Sequence, residues 1–238
     1  MCSFKKIVTL SFDDGTVQDR RFINILDKYG LKCTFNINSG FFGNVHCIDR
    51  EGTVVSHCEI PADEIADLYK NHEVAVHTVT HPNLLNCDDK EVIHQVLDDY
   101  NTLCKVSRQL LVGMAYPCGG NCYDERVIKL IADNTPIHYA RTTNDTGEFK
   151  FPQNFLEWNP TTYERNGFDY NMALIKKFVE AKATEDMLFY FWGHSFELDI
   201  HEKFWIQFEE LCKAISNHDD IDYMTNGEVY QYVMSKNT

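Results

Sequence analysis

Short apolar runs alternate with stretches of helical period along almost the whole chain, and that alternation restricts the fold more than any other feature. Runs at 7–12, 33–37, 73–76, 110–116, 137–141, 187–192 and 221–224 are rich in apolar, often β-branched or aromatic, residues and predict strands. Between them the spacing predicts helices over 17–29, 61–69, 88–107, 124–132, 168–183 and 202–217, with a last helix from Gly227. Pro61 can open the second of these, and Asp88 or Asp89 can cap the third. This order calls for parallel strands with helices on the outside. A chain of 238 residues with 44% apolar content can bury one large core. The expectation is an α/β fold, a distorted (β/α) barrel of about seven parallel strands with outer helices, made by a single domain over 1–238. Residues 38–59 are predicted to be a long irregular loop, and 142–168 an excursion over the barrel mouth.

Chemically versatile residues fall just after the predicted strands: Asp13 and Asp14, His77 and His81, Pro117 and Cys118, Arg141, and His194. In parallel barrels the carboxyl ends of the strands share one face, so these segments are expected to converge there. Successive side chains on extended backbone face opposite ways, so one carboxylate of the Asp pair can ligate a metal while the other faces the cleft. Asp-Asp-Gly is also ordinary turn chemistry. Pro82 biases His81 away from helix, so the two imidazoles belong to a strand-end loop. Imidazole and carboxylate donors suit zinc or another first-row divalent ion, with cobalt, nickel and manganese as alternatives. Three protein ligands leave a position open for catalysis.

Charge narrows the partners. Twenty-two basic against 36 acidic residues give a net charge of −14, which disfavours nucleic acid and anionic membranes. A neutral or cationic small molecule or oligosaccharide is the easier substrate, and the oligomeric state is left open. Nine cysteines without a C-x-x-C pair read as free thiols, and Cys118 and Cys122 have only a weakly metal-like spacing. No basic segment followed by an apolar one opens the chain, so a cytoplasmic protein is expected.

Ser11, Phe12, Asp13, Asp14 and Gly15 match [T/S]-F-D-D-G, and residues 77–81 match H-[S/T]-x-x-[H/D] in full. With them the chain resembles the polysaccharide deacetylase (NodB-homology) family, carbohydrate esterase family 4, and its NodB-like barrel. The third family motif, R-x-P-[aromatic]-G, is met in part by Ala115, Tyr116, Pro117, Cys118 and Gly119. The fifth is similar to Trp192, Gly193 and His194. The fourth, D-x-x-D-W, is not found beyond remnants at Asn144-Asp145 and Glu157-Trp158.

The resemblance implies a metal-dependent deacetylase. Asp14, His77 and His81 would hold the metal and Asp13 would be the general base. His194 would be the general acid, and the Cys118 N–H would help bind the oxyanion. Pro117, Cys118, Trp158 and Trp192 are the candidate cleft residues. Where the family has an arginine to orient the base, this chain has Ala115. Arg141, at a neighbouring strand end, is expected to reach across to Asp13 instead. Glu197 or Asp199 can fix the tautomer of His194, with the spacing favouring Glu197. The resulting function is removal of an N-acetyl group from an N-acetylated sugar or oligosaccharide. Alternatives are hydrolysis of a non-sugar amide or cyclic amide on the same barrel, and an inactive carbohydrate-binding homologue. A two-His-one-carboxylate iron oxygenase fits the ligands but not the β-α order.

Overall fold

Strand β1 (Lys6–Asp14) is buried along nearly its whole length and organises the sheet. The structure, a computed structural model, describes residues 4–236; Cys2 lies outside them. Further strands are β2 (Cys33–Ile37), β3 (Cys47–Arg50), β4 (Thr53–Ser56), β5 (Glu73–Val76), β6 (Gly113–Ala115), β7 (Tyr139–Arg141), β8 (Thr162–Tyr163), β9 (Met187–Gly193) and β10 (Ile221–Tyr223). The helices are α1 (Asp19–Lys28), α2 (Ile65–Leu68), α3 (Asp89–Ser107), α4 (Glu125–Asn134), α5 (Phe168–Glu180), α6 (Glu202–Ile215) and α7 (Asn226–Lys236). The main sheet runs β7-β6-β5-β2-β1-β9-β8, and β10 pairs with the first half of β1 beneath β2. Every pairing in it is parallel. The sheet curls into a distorted (β/α) barrel with its helices outside, as expected, although β8 brings its described strands to eight.

Side-chain parity divides the core in two. Even-numbered Val8, Leu10 and Phe12 of β1 face the helices, where Phe12 packs 4.1 Å from Phe22 of α1 and 6.0 Å from Phe208 of α6, centroid to centroid. Odd-numbered Ile7, Thr9, Ser11 and Asp13 form the inward column. Ile7 joins Tyr139, Trp158, Leu188 and Tyr190 in the floor of the barrel. Above it Thr9 bonds Asn226 at 2.8 Å and Ser11 bonds Asn36 at 2.7 Å. Asp13 ends the column at the mouth. β1 and β2 therefore alternate apolar and polar residues although both faces are buried, whereas β9 reads as a continuous apolar run.

Helix boundaries have local causes. Asp88 caps α3 by accepting from the Glu91 N–H at 2.9 Å, and Asp124 caps α4 through Val127 at 2.9 Å. α2 spans only Ile65–Leu68, shorter than the predicted 61–69.

Two irregular segments differ from expectation. Residues 47–56 form an antiparallel hairpin of β3 and β4 rather than plain loop. Its two-residue turn, Glu51-Gly52, has positive φ at both positions, as a type I′ turn requires. The segment 142–168 does more than pass over the mouth. Trp158 bridges to Arg141 and β8 pairs with β9, so this stretch spans the gap between the sheet's outer strands.

Gly113 faces inward at a point where a Cβ would run into the buried Tyr139 ring. Gly113→Ala is expected to lower stability by about 1–3 kcal/mol through overpacking. A lower urea midpoint at unchanged slope would show it.

Candidate active site

Asp13 is 3% exposed and is held from both sides. Its Oδ1 accepts from Asn36 Nδ2 at 2.8 Å, and its Oδ2 accepts from the Arg141 guanidinium. Asn36 is the register partner of Asp13 on β2, and Arg141 is the register partner of Ala115 on β7. The arginine thus reaches Asp13 from the strand beside Ala115. Arg141 is fully buried, with its guanidinium 4.5 Å from the Trp192 ring centroid.

Asp14 departs from extended geometry with φ 75°. Strict alternation stops there, and both carboxylates line one cleft instead of facing opposite ways. Asp14 Oδ1 lies 3.6 Å from His77 Nε2 and 3.9 Å from His81 Nε2. Ligand atoms of the three residues all lie within 4.8 Å of one another. Donors around a tetrahedral zinc ion stand about 3.3 Å apart, so small side-chain adjustments would let this set close on one ion. Burial, the main influence, pushes the His77 pKa down to about 4, so the ring is neutral at ordinary pH. Its Nδ1 sits 2.9 Å from the Ala115 carbonyl. Donation there leaves the Nε2 lone pair facing Asp14, the tautomer a metal ligand needs. Burial alone would raise the Asp14 pKa. The His57 hydrogen bond and the imidazoles of His194, His77 and His81 outweigh it and hold the carboxyl far below the usual carboxylate range.

The loop carrying the imidazoles is fixed by buried acceptors and donors. Asp99 accepts from the Ser39 and His77 N–H groups at 2.7 and 3.0 Å. Asn38 Nδ2 donates to the Thr78 carbonyl at 2.9 Å. Asp14, Thr78, His81 and Cys118 all hold left-handed backbone without being glycine. Each such residue costs about 1–3 kcal/mol, and such residues concentrate where geometry serves function.

Across the cleft, His194 Nε2 is 3.8 Å from Asp13 Oδ2, and its Nδ1 is 3.2 Å from Glu197 Oε2. Glu197 is therefore the carboxylate beside His194; Asp199 bonds Gln18 and Trp205 instead. Burial opposes the His194 imidazolium, but the Glu197 hydrogen bond and the charges of Asp14 and Asp13 prevail and raise its pKa above 6.5. Tyr163 donates to Glu197 and stacks on Trp192, whose Nε1 donates to Asp145 at 2.7 Å. The cleft is about 280 Å³. Cys118 lines it, and its backbone N–H donates to His81 Nε2 at 3.4 Å.

Trp158 is a correction. It is fully buried in the barrel floor with Tyr139 and Tyr190, because its backbone pairs with β7 and parity turns its indole inward. Pro117 is buried and does not line the cleft. Cys118 and Cys122 form no metal-binding group among the described residues.

Asn36, Arg50 and His57 are not among the expected site residues. Strand parity alone marks Asn36, level with Asp13. Arg50 lines the cleft, and His57 Nε2 lies 3.3 Å from Asp14 Oδ2. Both belong to the hairpin region, whose sequence signal is Gly52 at the turn beside Thr53, Val54 and Val55.

The sequence model of the polysaccharide deacetylase family matches residues 2–138. The chain belongs to that family. Solved structures share its fold. A Streptococcus pyogenes deacetylase, PplD, in complex with acetate aligns at TM-score 0.51 and 23% identity, over 63% of this chain and 61% of that one. A CE4 family pseudoenzyme from Bacillus anthracis gives 0.57 and 17%, over 94% and 65%. A family 4 acetyl xylan esterase from Clostridium thermocellum in complex with a cobalt ion gives 0.56 and 15%, over 95% and 91%. The chain thus spans less than two thirds of the first two. No curated protein matches it. Among the described residues, no helix of this deacetylase-family chain is long and apolar enough to cross a membrane.

The buried pair gives a direct test. Arg141→Ala is expected to cost about 3–5 kcal/mol, since it strands a buried carboxylate. Asp13→Asn added to it should recover part of that loss. A urea-denaturation double-mutant cycle would then show coupling above about 1 kcal/mol.

Proposed function

We propose that this chain is a metal-dependent amide hydrolase that removes the N-acetyl group from an N-acetylated sugar or oligosaccharide. One observation carries the reading. A clamped carboxylate, Asp13, stands between an Asp14–His77–His81 donor set and a carboxylate-backed His194, all around one cleft. Membership of the polysaccharide deacetylase family supports the substrate class.

Asp14, His77 and His81 would hold the ion; zinc suits the donors best, with cobalt, nickel or manganese as alternatives. Bound there, a divalent ion would polarise the acyl oxygen and acidify water. Asp13 acts as general base. Arg141 and Asn36 fix its orientation and leave its charge free to take a proton from the attacking water. The Cys118 N–H donates to the oxygen where negative charge develops. His194, held by Glu197, gives its Nε2 proton to the departing nitrogen as the C–N bond breaks. Trp192, sandwiched between Arg141 and Tyr163 and bonded to Asp145, lines the cleft as a fixed edge rather than an open face. The acidic chain favours neutral or cationic substrates over anionic ones.

Ala115 favours one second reading, an inactive carbohydrate-binding homologue lacking the family's arginine. Arg141 argues against it by supplying the same contact to Asp13. The two readings part on turnover.

Acetate release from N-acetylglucosamine oligomers should be abolished by a chelator and restored by zinc or cobalt. Asp13→Asn is expected to keep metal and lose at least ~10²-fold in kcat, and His194→Ala about 10²–10⁴-fold. No acetate from the metal-loaded protein on any acetylated glycan would leave the inactive reading standing.

The pH profile tests the acid. A general acid must be protonated, so the rate should fall as pH rises through the His194 pKa. Glu197→Gln removes the charge that favours imidazolium, so that alkaline limb should move to lower pH. An unmoved limb would remove His194 from the role.

A further inference from the structure

We propose a second divalent-cation site, formed by His46, His57 and Glu59 at the base of the β3–β4 hairpin. It uses none of the residues assigned to the first ion and stands whether or not the chain is a hydrolase.

The hairpin builds it. Beyond β3 and β4 the antiparallel pairing continues, with the His57 N–H donating to the His46 carbonyl at 2.9 Å and the Glu59 N–H to that of Asn44 at 3.1 Å. Cross-strand neighbours His46 and His57 therefore sit side by side, their ring centroids 4.8 Å apart. Glu59, two residues after His57, points to the same side. Backbone bonds from Val17 to Cys58 at 2.8 Å and from Ile60 to Gly15 at 2.9 Å tie this strand to the turn after β1. The three ligand groups lie within 4.8 Å of one another. Glu59 Oε1 is 3.1 Å from His57 Nδ1, and Oε2 is 3.8 Å from His46 Nδ1. These spacings bracket the roughly 3.3 Å expected around a tetrahedral ion.

A separate observation points to a ligand. The Glu59 side chain is only 3% exposed, and its Oε2 is buried with no hydrogen-bond partner. A bare buried carboxylate oxygen is costly. A cation between the carboxylate and the two imidazoles removes the penalty. Two imidazoles and one carboxylate suit zinc or a similar first-row ion, with solvent at the fourth position beside exposed His46.

Occupancy has a consequence next door. An ion on His57 Nδ1 places the ring proton on Nε2, which lies 3.3 Å from Asp14 Oδ2. His57 then donates to Asp14, the arrangement by which a ligand imidazole is oriented by a carboxylate. The second ion thereby fixes the carboxylate proposed to hold the first.

Zinc content settles the matter. Full-length protein is stripped with chelator, loaded with Zn²⁺, desalted and analysed for metal. Wild type should retain two equivalents. His46→Ala changes an exposed side chain and Glu59→Gln keeps shape, so both should fold, and each should lose one equivalent. His77→Ala/His81→Ala should retain one, and adding His46→Ala should remove it. Unchanged zinc in both His46→Ala and Glu59→Gln would overturn the second site. Loss in those two variants but none in His77→Ala/His81→Ala would uphold it and sink the first site instead.

Discussion

The buried pairing of Arg141 with Asp13 is the interaction on which the mouth of this barrel depends. It joins β1, at the centre of the sheet, to β7 at its outer edge, with Asn36 bracing Asp13 from the other side. A buried ion pair is poor evidence of net stability, since desolvation offsets much of the attraction. Its value here is positional. Guanidinium, carboxylate and the Trp192 face fix one another, so the groups around them inherit defined places.

Ala115 gains meaning in that light. The residue following family pattern would bring an arginine from β6. Here β6 offers a methyl group, and β7 supplies the arginine at the same level of the barrel. Read along the chain, the motif lacks its arginine; across the sheet, Arg141 meets Asp13. Local sequence pattern records which strand carries a residue, whereas chemistry responds to which residues share a layer.

The same distinction explains what was legible in the sequence. Strands over 33–37 and 73–76 are found where they were expected, because both faces of each are covered and the apolar run has sharp ends. Of the two candidate caps for α3 it is Asp88 that serves, and α4 begins beside Asp124, where its helix is expected to start. The hairpin was not: it rests on few apolar side chains, and its turn at Glu51-Gly52 is a backbone signal rather than a periodicity. His57 and Arg50 went unseen for that reason. Trp158 sits in a motif remnant, yet strand parity sends its ring into the floor. Both Asp side chains reach one cleft only because Asp14 turns left-handed, a conformation no composition announces.

That left-handed turn recurs at Thr78, His81 and Cys118. Glycine would relax the backbone at each of the four positions while removing a side chain from the cleft or its supporting loop. Variants selected for heat resistance alone would therefore drift toward glycine here and arrive at a sturdier barrel with an empty rim.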